Sequence, residues 1–213
     1  MLHIKNLTLA PTQLPAQPLC SGLSIEVQPG EVVTLTGASG SGKSTLLNWV
    51  VGALDPHFTA TGELWVNGVR SDTLPIEARH IGLLFQDDLL FPHLSVGRNL
   101  AFALPAQVKG AAARRQSIEQ TLASIGLAGF HDRDPATLSG GQRARVSLMR
   151  TLLAEPQALL LDEPFSKLDA ALRGQFRALV CEQIALLRIP TLLVTHDPAD
   201  VPAGGRVIEL AQG

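Results

Sequence analysis

Two short segments of this 213-residue chain have the residue types and spacing to do chemistry. The first is GASGSGKST, Gly37 to Thr45. It places a glycine, four residues, a second glycine, a lysine and a hydroxyl residue in order, between the apolar run EVVTLT and the apolar segment TLLNWVVGAL. Glycines let a backbone turn close on an anion, and the bare N–H groups of a helix start attract negative charge. A strand, this loop and a helix in succession make a P-loop for a nucleoside triphosphate. Gly37, Ala38, Ser39, Gly40, Ser41, Gly42, Lys43, Ser44 and Thr45 then form the phosphate cradle. Lys43 is expected to reach the β- and γ-phosphates and Ser44 to ligate Mg²⁺.

The second segment is ALLLDEP, where Asp162 and Glu163 follow an apolar run. At the carboxyl end of a buried strand, Asp162 can hold the Mg²⁺ shell and Glu163 can take a proton from an attacking water. Alone, the pair could be an ordinary turn before Pro164; the P-loop in the same chain favours the catalytic reading. His196 in VTHD and Gln86 in HIGLLFQ also end apolar runs. Each gains interest only because these strand ends converge.

A third segment, LSGGQ (138–142), has two readings. Ser139 followed three residues later by Gln142 is a capping box, with Val146, Met149, Leu152 and Leu153 as the buried face of the helix it starts. Capping does not account for Gly140 and Gly141, which weaken a first turn by roughly 1 kcal/mol each relative to alanine. Two glycines leave a helix N-terminus bare for an anion, which points to a phosphate presented by another molecule.

The elements that must position these residues follow from periodicity. Leu2 and Ile4, then Leu23, Ile25 and Val27, then Leu64 and Val66 alternate with polar residues, and Asn67-Gly68 is a hairpin signal; this predicts a small antiparallel sheet. Residues 31–37, 80–86, 158–164 and 190–197 are continuous apolar runs, the pattern of a parallel sheet covered on both faces. Ligands of such sheets gather at the carboxyl ends of the strands. Helices are expected near 95–104, 111–125 and 139–154. The fold class is therefore α/β: a P-loop NTPase (RecA-like) parallel sheet core, an N-terminal antiparallel β subdomain and an inserted α-helical lobe. One domain spans 1–213, with 1–86 and 156–213 as the core and 87–155 as the lobe.

Composition narrows the function. A net charge of −2 gives no footprint for nucleic acid. No apolar run approaches the roughly 18 residues of a membrane span, and the first residues lack the pattern of a signal peptide. Cys20 and Cys181 lie in no metal-ligand pattern and are expected to be reduced, buried thiols.

Taken together, GASGSGKST, FQDD, LSGGQ, LLLDEP, FSKLD and VTHD resemble the nucleotide-binding subunit of ATP-binding-cassette (ABC) transporters, over nearly the whole chain. IGLLFQDDLLFPHLSVGRNL and DPATLSGGQRARV are similar to bacterial importer ATPases. The resemblance implies that two subunits pair head to tail, with Ser139, Gly140, Gly141 and Gln142 of one acting in trans on ATP held by the other. Glu163 is then the general base and His196 contacts the γ-phosphate. Gln86 senses Mg²⁺ and the attacking water, so that Ser44, Gln86 and Asp162 serve the metal, partly through water. Asp169 links the two sites. It implies ATP and Mg²⁺ as ligands, a homodimer in the ATP-bound state and integral membrane permease subunits docked near Asp87–Val96. A solute-binding protein completes the system, no nucleic acid takes part, and the subunit sits peripherally on the cytoplasmic face of the bacterial inner membrane.

Two departures stand out. The family stacks adenine on an aromatic residue near the end of the first strand, and here no aromatic residue precedes Trp49. Modest ATP affinity and weak discrimination against GTP are expected. Lys167 stands in FSKLD where the family commonly has a small residue. The chain ends seventeen residues after His196, so no C-terminal regulatory domain is expected. The alternatives are an exporter or lipoprotein-release ATPase, a soluble ABC ATPase of DNA or ribosome, disfavoured by the single cassette, and a P-loop kinase, disfavoured by LSGGQ and the 162–163 carboxylates.

Overall fold

The computed structural model describes residues 1–210. In chain order the elements are β1 (Leu2–Pro11), β2 (Cys20–Val27), β3 (Val32–Thr36), α1 (Lys43–Val51), β4 (Phe58–Val66), β5 (Val69–Arg70), α2 (Ile76–Arg79), β6 (Ile81–Leu84), α3 (Val96–Ala101), α4 (Ala111–Ser124), α5 (Gly140–Leu153), β7 (Ala158–Asp162), α6 (Ala170–Leu187), β8 (Thr191–Val194) and β9 (Arg206–Glu209). They form two compact units. One holds Met1–Leu83, Gln157–Glu163 and the chain from Cys181 onward; the other holds Leu84–Pro156 and Pro164–Val180.

The first unit carries two sheets. An antiparallel sheet runs β2-β1-β4-β5. Its buried face is the alternating set the sequence predicts: Leu2, Ile4, Ile25, Val27, Leu64 and Val66. In β1 the alternation skips a step at Asn6, which has a left-handed φ of 49°. One extra residue there shifts the pairing from Lys5↔Glu63 to Thr8↔Thr61, a β-bulge that returns Leu7 and Leu9 to the core. Gly62 opposes the bulge, where a Cβ would lie 2.8 Å from the Leu7 Cα, so only glycine fits. The strand continues to Pro11, which pairs with Phe58. Asn67 and Gly68 both have positive φ, as a two-residue hairpin between β4 and β5 requires.

The second sheet runs β6-β7-β8-β3-β9. Its central strands β7 and β8 are apolar because both faces are covered; Leu159, Leu160, Leu161, Leu192, Leu193 and Val194 are all buried. β3 pairs with β8, and β8 with β7, all in parallel. The chain segments that leave the carboxyl ends of these neighbours begin at Gly37, Thr195 and Glu163. β9 lies beside β3 and has no counterpart among the predicted apolar runs. As an edge strand it leaves Arg206, Val207 and Glu209 exposed, so no apolar run marks it. β6 stops at Leu84, short of Gln86.

In the second unit α5 buries Ala144, Val146, Leu148, Met149 and Leu152, more than one face of the helix, while Leu153, expected to be buried, is half-buried. α3 ends at Ala101, earlier than predicted, in a turn through Leu104. Ahead of it, Asn99 is fully buried and holds residues 91–95 in place: its side chain accepts from the Phe91 N–H at 2.8 Å and donates to the Phe91, Leu94 and Ser95 carbonyls. Ser147 and Arg150 of α5 donate to the Asp88 and Leu89 carbonyls. Residues 164–180 belong to this unit, with Phe165 and Phe176 stacked edge to face.

Candidate active site

The strand order of the parallel sheet decides what meets at its carboxyl edge. After β3 the chain turns through Gly37, Gly40 and Gly42, whose φ values of 144°, 81° and 88° lie outside the range of ordinary side chains. A Cβ on Gly37 would stand 2.8 Å from the Leu210 carbonyl oxygen. Gly42 is the N-cap of α1, and no side chain among the described residues caps that helix start. Lys43 is buried and donates from Nζ to the Gly37 carbonyl at 2.9 Å and the Ala38 carbonyl at 2.8 Å.

β7 brings Asp162 beside α1. The Ser44 hydroxyl donates to Asp162 Oδ1 at 3.2 Å. Burial pushes the Asp162 carboxyl above the usual carboxylate range, and the nearby Glu163 charge adds to this, while the Ser44 hydrogen bond and the Lys43 charge oppose it. Glu163, the next residue, has a left-handed φ of 47°. Its N–H donates to the Val194 carbonyl at 3.0 Å, which ties the strained residue to the end of β8. Because Asp162 pairs with Val194, Glu163 and His196 leave their strands side by side. His196 Nδ1 lies 3.0 Å from Glu163 Oε1.

Ser39, Gly40, Gly42, Lys43, Ser44, Thr45, Glu163 and His196 line one cleft of about 640 Å³, and Asp162 lies behind it, bonded to Ser44. Among the described residues no group of three or more His, Cys, Asp or Glu could hold a metal ion unaided. A hydroxyl bonded to a half-buried carboxylate still suits Mg²⁺, which takes one or two protein ligands and fills its shell with water and substrate phosphate.

LSGGQ opens α5 with both halves of the capping box formed. Gln142 N–H donates to Ser139 Oγ at 3.3 Å, and Ser139 N–H donates to Gln142 Oε1 at 2.9 Å. The two glycines differ. A Cβ on Gly141 would meet the Leu172 methyls at 3.3 Å, so its smallness also serves packing within this unit. At Gly140 the nearest atom would be the tip of Arg143 at 3.9 Å, and packing does not account for it.

The model of the ABC transporter family matches residues 20–166, more than half of the chain. The chain belongs to the ABC transporter family. It is 54% identical over its full length to an uncharacterized ABC transporter ATP-binding protein, YnjD of Escherichia coli K12, and covers 96% of that protein. It is 41% identical to the thiamine import ATP-binding protein ThiQ of Haemophilus influenzae, over 94% of this chain and 90% of that one. Among solved structures it is similar to the dimeric post-hydrolysis state of the ATP-binding cassette MJ0796 bound to ADP and Pi. That match has a TM-score of 0.82 and 28% identity, and covers 100% of this chain and 95% of the other.

Within this ABC protein the remaining expected residues lie in the second unit. Gln86 is exposed, two residues past the end of β6. Asp169 accepts from the Ala171 and Leu172 N–H groups at 3.1 and 3.0 Å and so caps the start of α6. Lys167 pairs with Asp87. Two further residues line the cleft that no motif or spacing marks, Leu19 and Phe58. They come from opposite sides of β1, and only the pairing of β1 with β4 reveals Phe58.

Proposed function

We infer that this chain is the ATP-hydrolysing subunit of a bacterial ABC importer, acting as one ATPase domain over its length. The observation that carries the reading is the cleft in which the α1 N-terminus, Ser44 with its bond to Asp162 behind it, and the Glu163–His196 pair meet. The phosphates of ATP lie on the N–H groups of Gly40 to Thr45, where the helix start supplies partial positive charge. Lys43 exchanges its loop carbonyls for β- and γ-phosphate oxygens. Ser44 and Asp162 would hold Mg²⁺, which would supply neutralisation of the phosphate charge that develops during transfer.

Glu163 accepts the proton of the attacking water. His196 faces that carboxylate, orients it and reaches the γ-phosphate from the same side. Ser139, Gly140, Gly141 and Gln142 act on the ATP of a second copy, in a closed two-fold dimer, and Asp169 lies at the contact between the two sites. ATP favours the closed dimer and hydrolysis releases it, a ligand-biased two-state switch.

Permease subunits carry the pore, since among the described residues no helix is long and apolar enough to cross a membrane. Their docking surface is a groove of about 530 Å³ in the second unit, where Asp87, Leu89 and Leu90 face Pro135 and Lys167. Phe91 is a packing residue: its ring stacks on Phe102, with the Arg150 guanidinium 5.3 Å from its centroid. Leu89 and Leu90 are therefore the docking side chains. Relatives named for thiamine import and sulfate or thiosulfate import support an importer with a solute-binding protein at the inner membrane.

The test is light scattering on Glu163→Gln with and without MgATP. The variant should bind ATP without hydrolysing it and convert from monomer to dimer, and Ser139→Arg should abolish the conversion. A chain that binds ATP yet stays monomeric with co-expressed permease subunits present would falsify the dimer reading.

A further inference from the structure

We propose that Phe58, with Leu19 beside it, is the base-binding wall of the nucleotide cleft, a reading that rests on ATP occupying that cleft. The lining divides by chemistry. The phosphate loop, Glu163 and His196 are polar; Leu19 and Phe58 are apolar. Glu163 and His196 mark the terminal-phosphate end of a triphosphate held on the loop. The sugar and base must then extend toward the other lining, and a purine is an apolar plane that ring and methyl groups suit.

Strand pairing explains how two distant residues come to share this wall. Pro11, at the end of β1, pairs with Phe58 on the β4 side. On the β2 side the Leu19 N–H donates to the Leu9 carbonyl at 2.7 Å. Leu19 packs directly over the loop, since a Cβ on Gly42 would lie 2.9 Å from the Leu19 Cβ. It adjoins the first turn of α1, next to the phosphates.

Phe58 is held in advance. Its N–H donates to the Asp55 carbonyl at 2.9 Å, and Thr12 N–H and Oγ1 donate to the His57 and Pro56 carbonyls at 2.8 and 3.1 Å. The turn before β4 is thus fastened to the end of β1, and placing the ring for a ligand costs little ordering entropy. Phe58 is only half-buried, and among the described residues no other ring stacks on it. An aromatic wall is present in the cleft although the first strand lacks one.

Base–ring stacking is of a size whose loss weakens binding about 5- to 150-fold. It is tolerant of base identity, because every base has a π-face and Phe58 offers no hydrogen bond; GTP should bind within about tenfold of ATP.

The experiment is calorimetric titration of the full chain and its variants with ATP, GTP and tripolyphosphate, which lacks sugar and base. Phe58→Ala should weaken ATP by about fivefold or more and leave tripolyphosphate within about twofold of wild type. Phe58→Trp should restore ATP binding. Lys43→Ala should lose both ligands. Unchanged ATP affinity in Phe58→Ala would overturn the proposal. So would an equal loss of ATP and tripolyphosphate, which would make Phe58 a support of the loop rather than a base contact. A wild-type chain that binds neither ATP nor tripolyphosphate would overturn the reading of the cleft itself, and the proposal with it.

Discussion

The contact between His196 and Glu163 lends itself to a double-mutant cycle on ATP hydrolysis. Replacing Glu163 by Gln keeps its shape and removes its basicity. A general base contributes about 10²–10⁴-fold in rate, or about 3–5.5 kcal/mol of barrier. His196→Ala removes a hydrogen bond to a carboxylate, worth about 1.5–3 kcal/mol when well shielded. The His196 side chain is 66% exposed, so solvent screening reduces this. About 1–2 kcal/mol remains, a slowing of about 5- to 30-fold. Because His196 acts largely by orienting Glu163, the double variant should be no slower than Glu163→Gln by more than about twofold. The assay is steady-state phosphate release at saturating MgATP, with nucleotide affinity measured in parallel to show that binding survives. If the two losses multiply, His196 acts on the phosphate independently of Glu163, and the orienting role inferred from the 3.0 Å contact is wrong.

Other consequences can be checked separately. Thr34 Oγ1 is buried in β3 with no hydrogen-bond partner among the described residues. Thr34→Val should stabilise the fold by about 1 kcal/mol and raise Tm by about 2–4 °C in thermal unfolding, whereas a lower Tm would mean the hydroxyl is satisfied by water. Arg79 is buried and donates to the Trp49, Val50, Leu74 and Asp72 carbonyls, closing the C-terminal end of α1. Arg79→Ala should cost about 3 kcal/mol or more in denaturant unfolding, with Arg79→Lys recovering only part because it lacks the planar fork; a loss below about 1 kcal/mol would contradict this. Burial pushes the Cys20 thiol up, against a smaller opposing effect from a backbone hydrogen bond at Leu9. In a Cys181→Ser background its alkylation should therefore rise with pH at higher values than that of a free thiol peptide, since the thiolate is the reacting form; coincident profiles would refute it. Leu90→Glu should weaken pull-down of co-expressed permease subunits while leaving ATP affinity of the isolated chain unchanged, and undiminished assembly would move the docking surface elsewhere.

Some of this was legible in the residues alone because it is local. GASGSGKST combines glycine's conformational freedom with a helix start, and both properties belong to the segment itself. The capping box of LSGGQ needs only Ser139 and Gln142 three residues apart, and both of its bonds form. Continuous apolar runs mark β7 and β8 because strands covered on both faces admit little else. β9 escaped because an edge strand carries no such run, and the full length of β1 because a bulge at Asn6 interrupts its alternation.

What tertiary structure alone decided is set by pairing between distant segments. Parallel register places Asp162 against Val194, and only that juxtaposition brings the Glu163 carboxylate to His196. Gly141 reads as a bare helix start in sequence, yet it also lies against Leu172 of another helix. Phe58 follows the phosphate loop in the chain, so a search of the first strand cannot find it. It enters the cleft because antiparallel register carries Pro11 to its side. Sequence spacing specifies the chemistry of a loop or a cap, whereas which side chains face one another across a cleft depends on strand order and register, which distant residues determine jointly.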